Sequence, residues 1–372
     1  MTGIEQEIIF GEIAEQPAIA RARAAAARGE WPRPSGRLVI TGSGDSLCAA
    51  ELVARLFPGT ASALPALDAS SAATGMGRDD ALIAISVSGR TPRVVEAAVR
   101  ARRRGAVVVA VTDDLDSPLA GHADVTWRIG AAPQQALQAT DYGDSEAAQY
   151  VGYHHDVAQT KSFFATLLTL AHAAGPALDD TDWDDLPTRV ADLCDAAFWK
   201  PIVEVAEGCA GAGQTFFLAS GAGLPLARFA AYKMFEFDRL AHFSEIEEYC
   251  HTHYFVTRPG DAVVFILQSD DDVARAREIA PVLIELFEAR VVSIRLADVA
   301  APADTIGSEV VVEGGRSPLE RAVGPLLAVE WFTYLCGRVG APDINTFHAG
   351  HDTERLIGAS MRTIRRSEIR DR

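Results

Sequence analysis

The 372-residue sequence has no uninterrupted apolar run that approaches the roughly 18 residues of a membrane-spanning helix. Its first residues also lack the basic-then-apolar pattern of a secretory signal. These two absences lead us to expect a cytoplasmic protein. With 48% hydrophobic residues, a chain of this length can bury two cores of ordinary size, so two domains are expected.

Cysteines and basic residues are also scarce. The five cysteines show no CxxC spacing, so we expect free thiols and no bound metal: Cys48, Cys194, Cys209, Cys250 and Cys336. The formal net charge of -17 argues against nucleic acid or an anionic membrane as a partner, because both require a basic face. An anionic ligand would therefore have to be attracted by local groups rather than by the overall charge.

The most informative feature that is present is a cluster of small hydroxyl residues after an apolar segment. Residues 81–85 are typical of a strand that is buried on both faces, and a helix is predicted from residue 92. Ser86, Ser88 and Thr91 fall in the turn between them, where hydroxyl groups and backbone amides can bind a phosphate. The alternative is that these residues only cap the helix.

A second turn of the same kind lies upstream. A strand is predicted at residues 37–40 and a helix at 47–56, with the glycine-rich turn 42–46 between them. Two such turns on neighbouring strands of a doubly wound sheet can converge on one anion. The predicted phosphate-binding residues are Ser46, Ser86, Ser88 and Thr91.

Together these motifs resemble the sugar isomerase (SIS) domain of phosphosugar enzymes. The motifs that carry the resemblance are residues 44–46, 86–91 and 107–113, with further similarity at 12–17 and 157–163. The similarity is greatest to the isomerase domain of glutamine–fructose-6-phosphate aminotransferases. It implies an α/β fold in which two doubly wound parallel-sheet, flavodoxin-like SIS domains follow one another in tandem.

The predicted elements agree with a tandem arrangement, because strands and helices alternate in both halves. We expect a helical lead-in at 1–33, a phosphosugar-binding SIS domain at 34–178, a linker and helix at 179–196, a catalytic SIS domain at 197–340 and a tail at 341–372. Residues 131–156 are polar and resemble an insertion, within which residues 145–153 are expected to be helical.

Two charged residues stand out in the second half. Lys233 and Glu236 lie three residues apart on a predicted helix, 225–238, that is otherwise mostly apolar. They form either an internal ion pair or a functional pair, and the residues alone leave both possibilities open. The resemblance favours function, because residues 233–236 are similar to the Lys-x-x-Glu segment whose glutamate transfers the proton in sugar isomerisation. A partly desolvated Glu236 would have a raised pKa suited to this base, with Lys233 stabilising the enediolate.

The resemblance also implies a ring-opening histidine. Residues 248–251 are similar to a Glu-Leu-Lys-His segment, which makes His251 the candidate, and His253 lies close enough to compete. The second-half counterpart of the phosphate turn is residues 268–272, whose three aspartates would repel an anion. One half is therefore expected to bind phosphate and the other to supply catalytic groups.

The sugar itself is expected to contact further residues of the first half. By the resemblance these are Ser43, Gly44, Asp45, Val157 and Gln159. Asp45 stands where the family usually has threonine, and a carboxylate beside a phosphate dianion is unfavourable, so we expect Asp45 to face the sugar. The nearby Arg90 and Arg93 either offset the charge of the turn or belong to an arginine-rich outer helix face.

Two family features are missing. Thr2 stands where the aminotransferase has the cysteine of its glutaminase domain, and residues 350–362 contain no lysine that could form a Schiff base. Arginine does not replace that lysine, because its very high pKa makes it unsuitable as an imine-forming amine. Amination of fructose 6-phosphate is therefore not expected.

The resulting hypothesis is a phosphosugar aldose-ketose isomerase that acts through a cis-enediol, without metal or cofactor, on a sugar phosphate or amino-sugar phosphate. The first alternative is a ketosamine-phosphate deaminase or deglycase, since the same proton transfer leads there. The second is a non-catalytic phosphosugar-binding regulator, which is disfavoured because no DNA-binding segment or basic extension is found. The resemblance implies a homodimer with shared active sites.

Overall fold

The computed structural model describes residues 4, 7–131, 158–176, 178–300, 306–340, 344, 351 and 353–367. The chain divides into two compact units. The first unit comprises residues 19–179 and 350–372, and the second unit comprises residues 1–18 and 180–349.

The described strands form one sheet in each unit. In chain order they are β1 (Leu38–Gly42), β2 (Ser62–Pro65), β3 (Ala81–Ile85), β4 (Val107–Thr112), β5 (Val125–Arg128), β6 (Thr215–Ala219), β7 (Ala241–Ser244), β8 (Ala262–Leu267), β9 (Arg290–Leu296) and β10 (Ser308–Val312). The five-stranded orders among these strands are β2-β1-β3-β4-β5 and β10-β9-β8-β6-β7, and every pairing is parallel.

The described helices connect and cover these strands. They are α1 (Ile8–Ala14), α2 (Gln16–Ala25), α3 (Asp45–Leu56), α4 (Ala66–Ala72), α5 (Pro92–Arg103), α6 (Pro118–Gly121), α7 (Lys161–Ala174), α8 (Leu186–Cys194), α9 (Ala196–Ala210), α10 (Gly223–Glu236), α11 (Ile246–His251), α12 (Asp270–Glu285), α13 (Pro318–Gly340) and α14 (Thr353–Arg365). Short 3-10 helices occur at Ala73–Gly75 and His253–Val256. Parallel strands joined by helices on both faces make each unit a doubly wound α/β sheet, as the sequence predicted.

Small side chains build the core on one face of the first sheet. Leu82 and Ala84 of β3 and Val108 and Ala110 of β4 are buried against alanines of α4 and α5, which include Ala66, Ala69, Ala97, Ala98 and Ala101. Alternate residues of a strand point to opposite faces, and β3 is buried along its whole length, so its other residues face the opposite helix layer. This burial on both faces explains why residues 81–85 form a continuous apolar run.

In the second unit, consecutive aromatic residues of β6 show which helices cover each face. The ring of Phe216 packs edge-on against Tyr249 of α11, with centroids 5.6 Å apart. The ring of Phe217 packs against Phe332 of α13 at 6.2 Å. Because neighbouring strand residues point to opposite faces, α11 and α13 lie on opposite sides of the second sheet. Helix α10 packs against α13, and α11 packs against α12.

The sequence analysis missed several elements of this fold. The short edge strands β2 and β7 were not predicted, because each has only four residues and is partly exposed, so neither shows a clear apolar pattern. One helix was predicted in the linker region 179–196, whereas α8 ends at Cys194 and α9 begins after Asp195, whose carboxylate caps α9 by accepting the Ala197 N–H. Helix α14 was not anticipated in the tail. The insertion predicted at 131–156 lies outside the described residues from 132 onwards, and so does its expected helix.

No described helix is both long and apolar enough to cross a membrane. None of the five cysteines forms a disulfide in the structure. Burial raises the pKa of the Cys209 thiol to about 11, which makes it unreactive near neutral pH.

Candidate active site

Both predicted phosphate turns lie at the same point of the first sheet. β1 and β3 are neighbours, with Thr41 opposite Ala84, so the two strands end at the same level. From β1 the chain continues to β2 on one side, and from β3 it continues to β4 on the other. This is the topological switch point of the sheet, where doubly wound folds bind their ligands.

The residues of the turn after β1 pack tightly against the end of the strand. A Cβ atom added at Gly42 would lie 2.6 Å from the Cβ of Ser46, so only glycine fits there. Gly44 has a φ of +56° and no side chain caps helix α3 behind it. Ser46 is half-buried in the first turn of α3. The N-terminus of a 12-residue helix, with its favourable dipole, therefore begins at the switch point.

The hydroxyl groups of the turn after β3 are hydrogen-bonded to each other and do not cap the helix. The Ser86 and Thr91 oxygens are 2.9 Å apart, and both Ser86 and Ser88 are buried. Thr91 is the N-cap residue of α5, yet its side chain makes no capping hydrogen bond. The alternative explanation, that these hydroxyl groups only cap the helix, therefore does not describe Thr91. The hydroxyl groups of Ser86 and Thr91 therefore lie together at the N-terminus of α5, where they can donate and accept hydrogen bonds.

The corresponding turn of the second unit is closed by its own side chains. Ser269 accepts the Asp272 N–H at 3.1 Å, and the Asp272 carboxylate accepts the N–H groups of Gln268 and Ser269, each at 3.0 Å. This capping box uses the backbone donors that an anion would need. The backbone N–H groups of this second-unit turn are therefore already hydrogen-bonded within the turn.

Residues at the end of β4 hydrogen-bond to the phosphate turn, residues 86–91, which follows β3. The Thr112 hydroxyl donates to the carbonyl of Val87 at 3.1 Å, and the Asp113 N–H donates to the same carbonyl at 3.0 Å. Gly89 has a φ of +61°, and a Cβ there would lie 2.0 Å from the Ser117 hydroxyl oxygen. The conformation of this turn therefore depends on glycine at position 89 and on the residues that follow β4.

Asp113 also anchors the next strand end of the first unit. Its carboxylate accepts the N–H groups of Gly130 at 2.6 Å and Ala131 at 3.1 Å. Burial raises the pKa of Asp113, while these two hydrogen bonds and the nearby arginines oppose the rise. The sequence motif that led to the family resemblance included Thr112 and Asp113, but no role had been predicted for either residue.

The two arginines near the turn are held by acidic residues. The Arg90 guanidinium donates to Asp114 at 2.8 Å. Arg93 pairs with Glu96 at 2.5 Å and donates to the Ser367 hydroxyl at 2.7 Å. Of the predicted sugar-binding residues, Ser43 and Gly44 are exposed, and Asp45 and Gln159 are partly exposed. Val157 lies outside the described residues.

Lys233 and Glu236 of the second unit form an ion pair. The Lys233 ammonium donates to Glu236 Oε2 at 2.7 Å and also lies 5.2 Å from the centre of the Phe229 ring. The sequence suggested a buried acid, but the burial falls on the lysine: the Lys233 side chain is 1% exposed and that of Glu236 is 29% exposed. The ion pair therefore joins a buried ammonium to a carboxylate that is partly exposed.

The two candidate histidines have different surroundings. His251 ends α11 with its side chain 68% exposed, and its Nε2 lies 3.1 Å from Glu247 Oε1. This hydrogen bond and the ion pair with Arg275 lower the pKa of Glu247. His253 instead packs against Phe216 and His242, at 5.9 Å and 5.4 Å between ring centres. His251 is therefore the histidine that can reach a ligand in solution.

Glu236 and His251 are not brought together within one chain. Glu236 ends α10, which packs with α13, whereas His251 ends α11, on the opposite face of the second sheet. The described residues contain no group of three or more histidine, cysteine, aspartate or glutamate side chains arranged to hold a metal ion.

Comparison with known proteins agrees with the geometry of the first unit. Residues 33–143 match the SIS domain family. The chain is 37% identical to the 3-hexulose-6-phosphate isomerase of Mycobacterium gastri over 118 residues, which are 32% of this chain and 56% of that protein. It is 29% identical to the glutamine–fructose-6-phosphate aminotransferase of Aeropyrum pernix over 280 residues, which are 70% of this chain and 41% of that protein.

Solved structures extend the similarity to the whole fold. The C-terminal domain of glucosamine-fructose-6-phosphate aminotransferase from Francisella tularensis has a TM-score of 0.71 at 16% identity, covering 93% of this chain and 99% of that one. The tagatose-6-phosphate ketose/aldose isomerase from Escherichia coli has a TM-score of 0.66 at 18% identity, covering 92% and 93%. At these identities the likeness establishes the fold. Residues 33–143 therefore match the SIS domain family, and the chain has a tandem α/β fold of the kind found in the C-terminal domain of this aminotransferase.

Proposed function

We propose that the protein is a phosphosugar isomerase that interconverts a phosphorylated aldose and ketose. The observation that carries the proposal is the pair of turns at the switch point of the first sheet, with the hydroxyl groups of Ser86 and Thr91 at 2.9 Å and not used as helix caps. The substrate phosphate is held by Ser46, Ser86, Ser88 and Thr91. This substrate class is supported by the names of two relatives and of one solved structure with the same fold. Two of these three proteins are named as phosphosugar isomerases and one as an isomerising aminotransferase.

The chemistry requires a base that carries a proton between C1 and C2. Glu236 takes this role, since its carboxylate is partly exposed and is held by the Lys233 ammonium at 2.7 Å. Lys233 also stabilises the negative charge that develops on the enediolate. His251 opens the sugar ring by protonating the ring oxygen and accepting the anomeric proton, which histidine can do near neutral pH.

The positions of Glu236 and His251 on opposite faces of the second sheet support a homodimer. In this arrangement a second copy of the chain supplies the histidine, so each active site contains groups of both subunits. The sugar contacts Ser43, Gly44, Asp45, Val157 and Gln159 of the first unit.

The proposal is tested by solvent deuterium exchange. Fructose 6-phosphate, tagatose 6-phosphate and 3-hexulose 6-phosphate are incubated with the protein in deuterated water, and exchange at C1 or C2 is followed by NMR. Glu236→Gln should lower the exchange rate at least about 100-fold while ligand affinity is unchanged, because only the proton acceptor is lost. The control Glu285→Gln, an exposed glutamate of α12, should keep the wild-type rate.

Two other results would contradict the isomerase. Release of ammonia from amino-sugar phosphates without isomerisation would instead indicate the deaminase. Binding of phosphosugars with no exchange by the wild-type protein would indicate a regulator.

A further inference from the structure

The phosphate turn of the first unit, residues 86–91, is held by hydrogen bonds within the turn and also by a contact from β4. In the second unit the Ser269–Asp272 capping box closes the turn with the turn's own side chains. In the first unit the side chain of Thr91 makes no capping hydrogen bond, although Thr91 holds the equivalent N-cap position. The side chains of Ser86 and Ser88 accept N–H groups within the turn, and Thr112 adds a contact from outside it.

Thr112 is the last residue of β4 and is fully buried. Its hydroxyl donates to the Val87 carbonyl at 3.1 Å and accepts the Asp114 N–H at 3.3 Å. One hydroxyl group thus joins the phosphate turn to the loop that follows β4.

These hydrogen bonds belong to a closed chain of contacts that returns to the phosphate turn. Asp114, placed by Thr112, accepts a hydrogen bond from the Arg90 guanidinium at 2.8 Å. The Arg90 N–H in turn donates to the Ser88 hydroxyl at 3.3 Å, within the phosphate turn itself. This closed chain of contacts therefore contains the backbone of the turn at Val87, one proposed phosphate ligand and one cationic side chain.

We propose that Thr112 is the positioning residue of the phosphate site. Its hydroxyl fixes the Val87 carbonyl and, through Asp114, the guanidinium of Arg90, so that Ser86, Ser88 and Thr91 keep the geometry that binds phosphate. This inference rests on the proposed function, because it assumes that the turn binds the phosphate of the substrate. A hydrogen bond to a charged ligand weakens steeply when its donor is displaced, so a loosened turn binds less tightly.

The test measures the dissociation constants of inorganic phosphate and fructose 6-phosphate by calorimetry, together with the melting temperature. Thr112→Val keeps the side-chain shape and removes the hydroxyl, and both dissociation constants should rise about tenfold. Thr112→Ser restores the hydroxyl and should return both to within about twofold of wild type. The control is Thr333→Val in α13 of the other unit, where a buried hydroxyl also donates to a backbone carbonyl, that of Val329 at 2.9 Å. It should change the melting temperature and not the affinity.

A second variant separates positioning from charge and does not depend on the folding of Thr112→Val. Asp114→Ala removes a negative charge near the turn, which on electrostatic grounds alone would strengthen phosphate binding. The positioning role predicts weaker binding, because Arg90 loses the group that holds it.

Wild-type affinity in both Thr112→Val and Asp114→Ala would overturn the inference while leaving the phosphate site intact. If the wild-type protein binds neither probe, the phosphate site itself is wrong and the inference fails with it.

Discussion

At the residue scale, the proposed site depends on hydroxyl groups that the fold holds in position without using them as caps. Ser86 and Thr91 hydrogen-bond to each other at 2.9 Å, and Ser88 accepts only a backbone N–H from Arg90 among the contacts the structure gives it. The sequence singled out these residues by their type and their spacing at a strand end. The sequence could not show whether these hydroxyl groups cap the helix or are available to a ligand. That depends on which atoms each hydroxyl group hydrogen-bonds to.

Ser86→Ala should raise the dissociation constant for fructose 6-phosphate by about 10- to 100-fold, since a hydrogen bond to a charged group contributes about 1.5–3 kcal/mol. Ser86 is buried and also bonds Thr91, so the change affects two of the proposed ligands. Calorimetric titration measures the effect. The control Ser71→Ala, an exposed serine of α4, should bind as wild type does. Equal affinity in both variants would show that this turn is not the phosphate site.

At the element scale, the interior strands could be predicted well, whereas the short edge strands β2 and β7 could not. β3 has the bounds that were predicted, because it is an apolar run buried in the middle of its sheet. β7 carries a histidine and a serine in four residues, so it contains no apolar run, and its alternation of apolar and polar residues covers only four positions. The sequence also did not predict that α10 and α11 cover opposite faces of the second sheet. This arrangement follows from the strand order, in which the chain passes from β7 at the edge across β6 to β8.

An ion pair at the start of the first sheet gives the fold a pH dependence. Asp80, just before β3, accepts the Arg37 N–H at 2.7 Å and the Gly77 N–H at 2.9 Å, and pairs with the Arg37 guanidinium at 3.2 Å. The hydrogen bond from the Arg37 side chain, followed by those from the backbone, lowers the pKa of Asp80 to about 2. Because the folded-state pKa is below the unfolded one, the stabilisation is fully present above about pH 4 and is lost as the pH falls toward 2.

Asp80→Asn should therefore lower the free energy of unfolding by about 1–2 kcal/mol at pH 7, and this difference from wild type should shrink between about pH 4 and pH 2. Urea denaturation at several pH values measures it. The control Asp79→Asn changes an exposed neighbour and should have little effect at any pH. A stability difference that does not vary with pH would mean that the carboxylate charge of Asp80 has no part in it.

At the scale of the whole molecule, the account combines two α/β units with unequal tasks in one chain. The sequence predicted this division from charge, because the turn of the second unit carries Asp270, Asp271 and Asp272. The structure adds a physical reason, since the capping box of that turn already uses the backbone donors. Within one chain, Glu236 and His251 lie on helices that cover opposite faces of the second sheet.

This separation leads to a prediction about mixed dimers. Glu236→Gln and His251→Ala should each be inactive alone, but a mixture should regain up to about a quarter of wild-type activity, because half of the dimers are mixed and each has one intact site. The deuterium-exchange assay measures the recovery after subunit exchange. A mixture that stays inactive while the subunits demonstrably exchange would mean that both groups act within one chain.

The central claim is that the turn Ser86–Thr91 binds the phosphate of a sugar substrate. The most direct measurement is a crystal structure of the wild-type protein with fructose 6-phosphate and, separately, with inorganic phosphate. The account predicts phosphate oxygens within hydrogen-bonding distance of the Ser86, Ser88 and Thr91 hydroxyl groups in both crystals. Phosphate bound elsewhere, with this turn unchanged and occupied only by water, would contradict it.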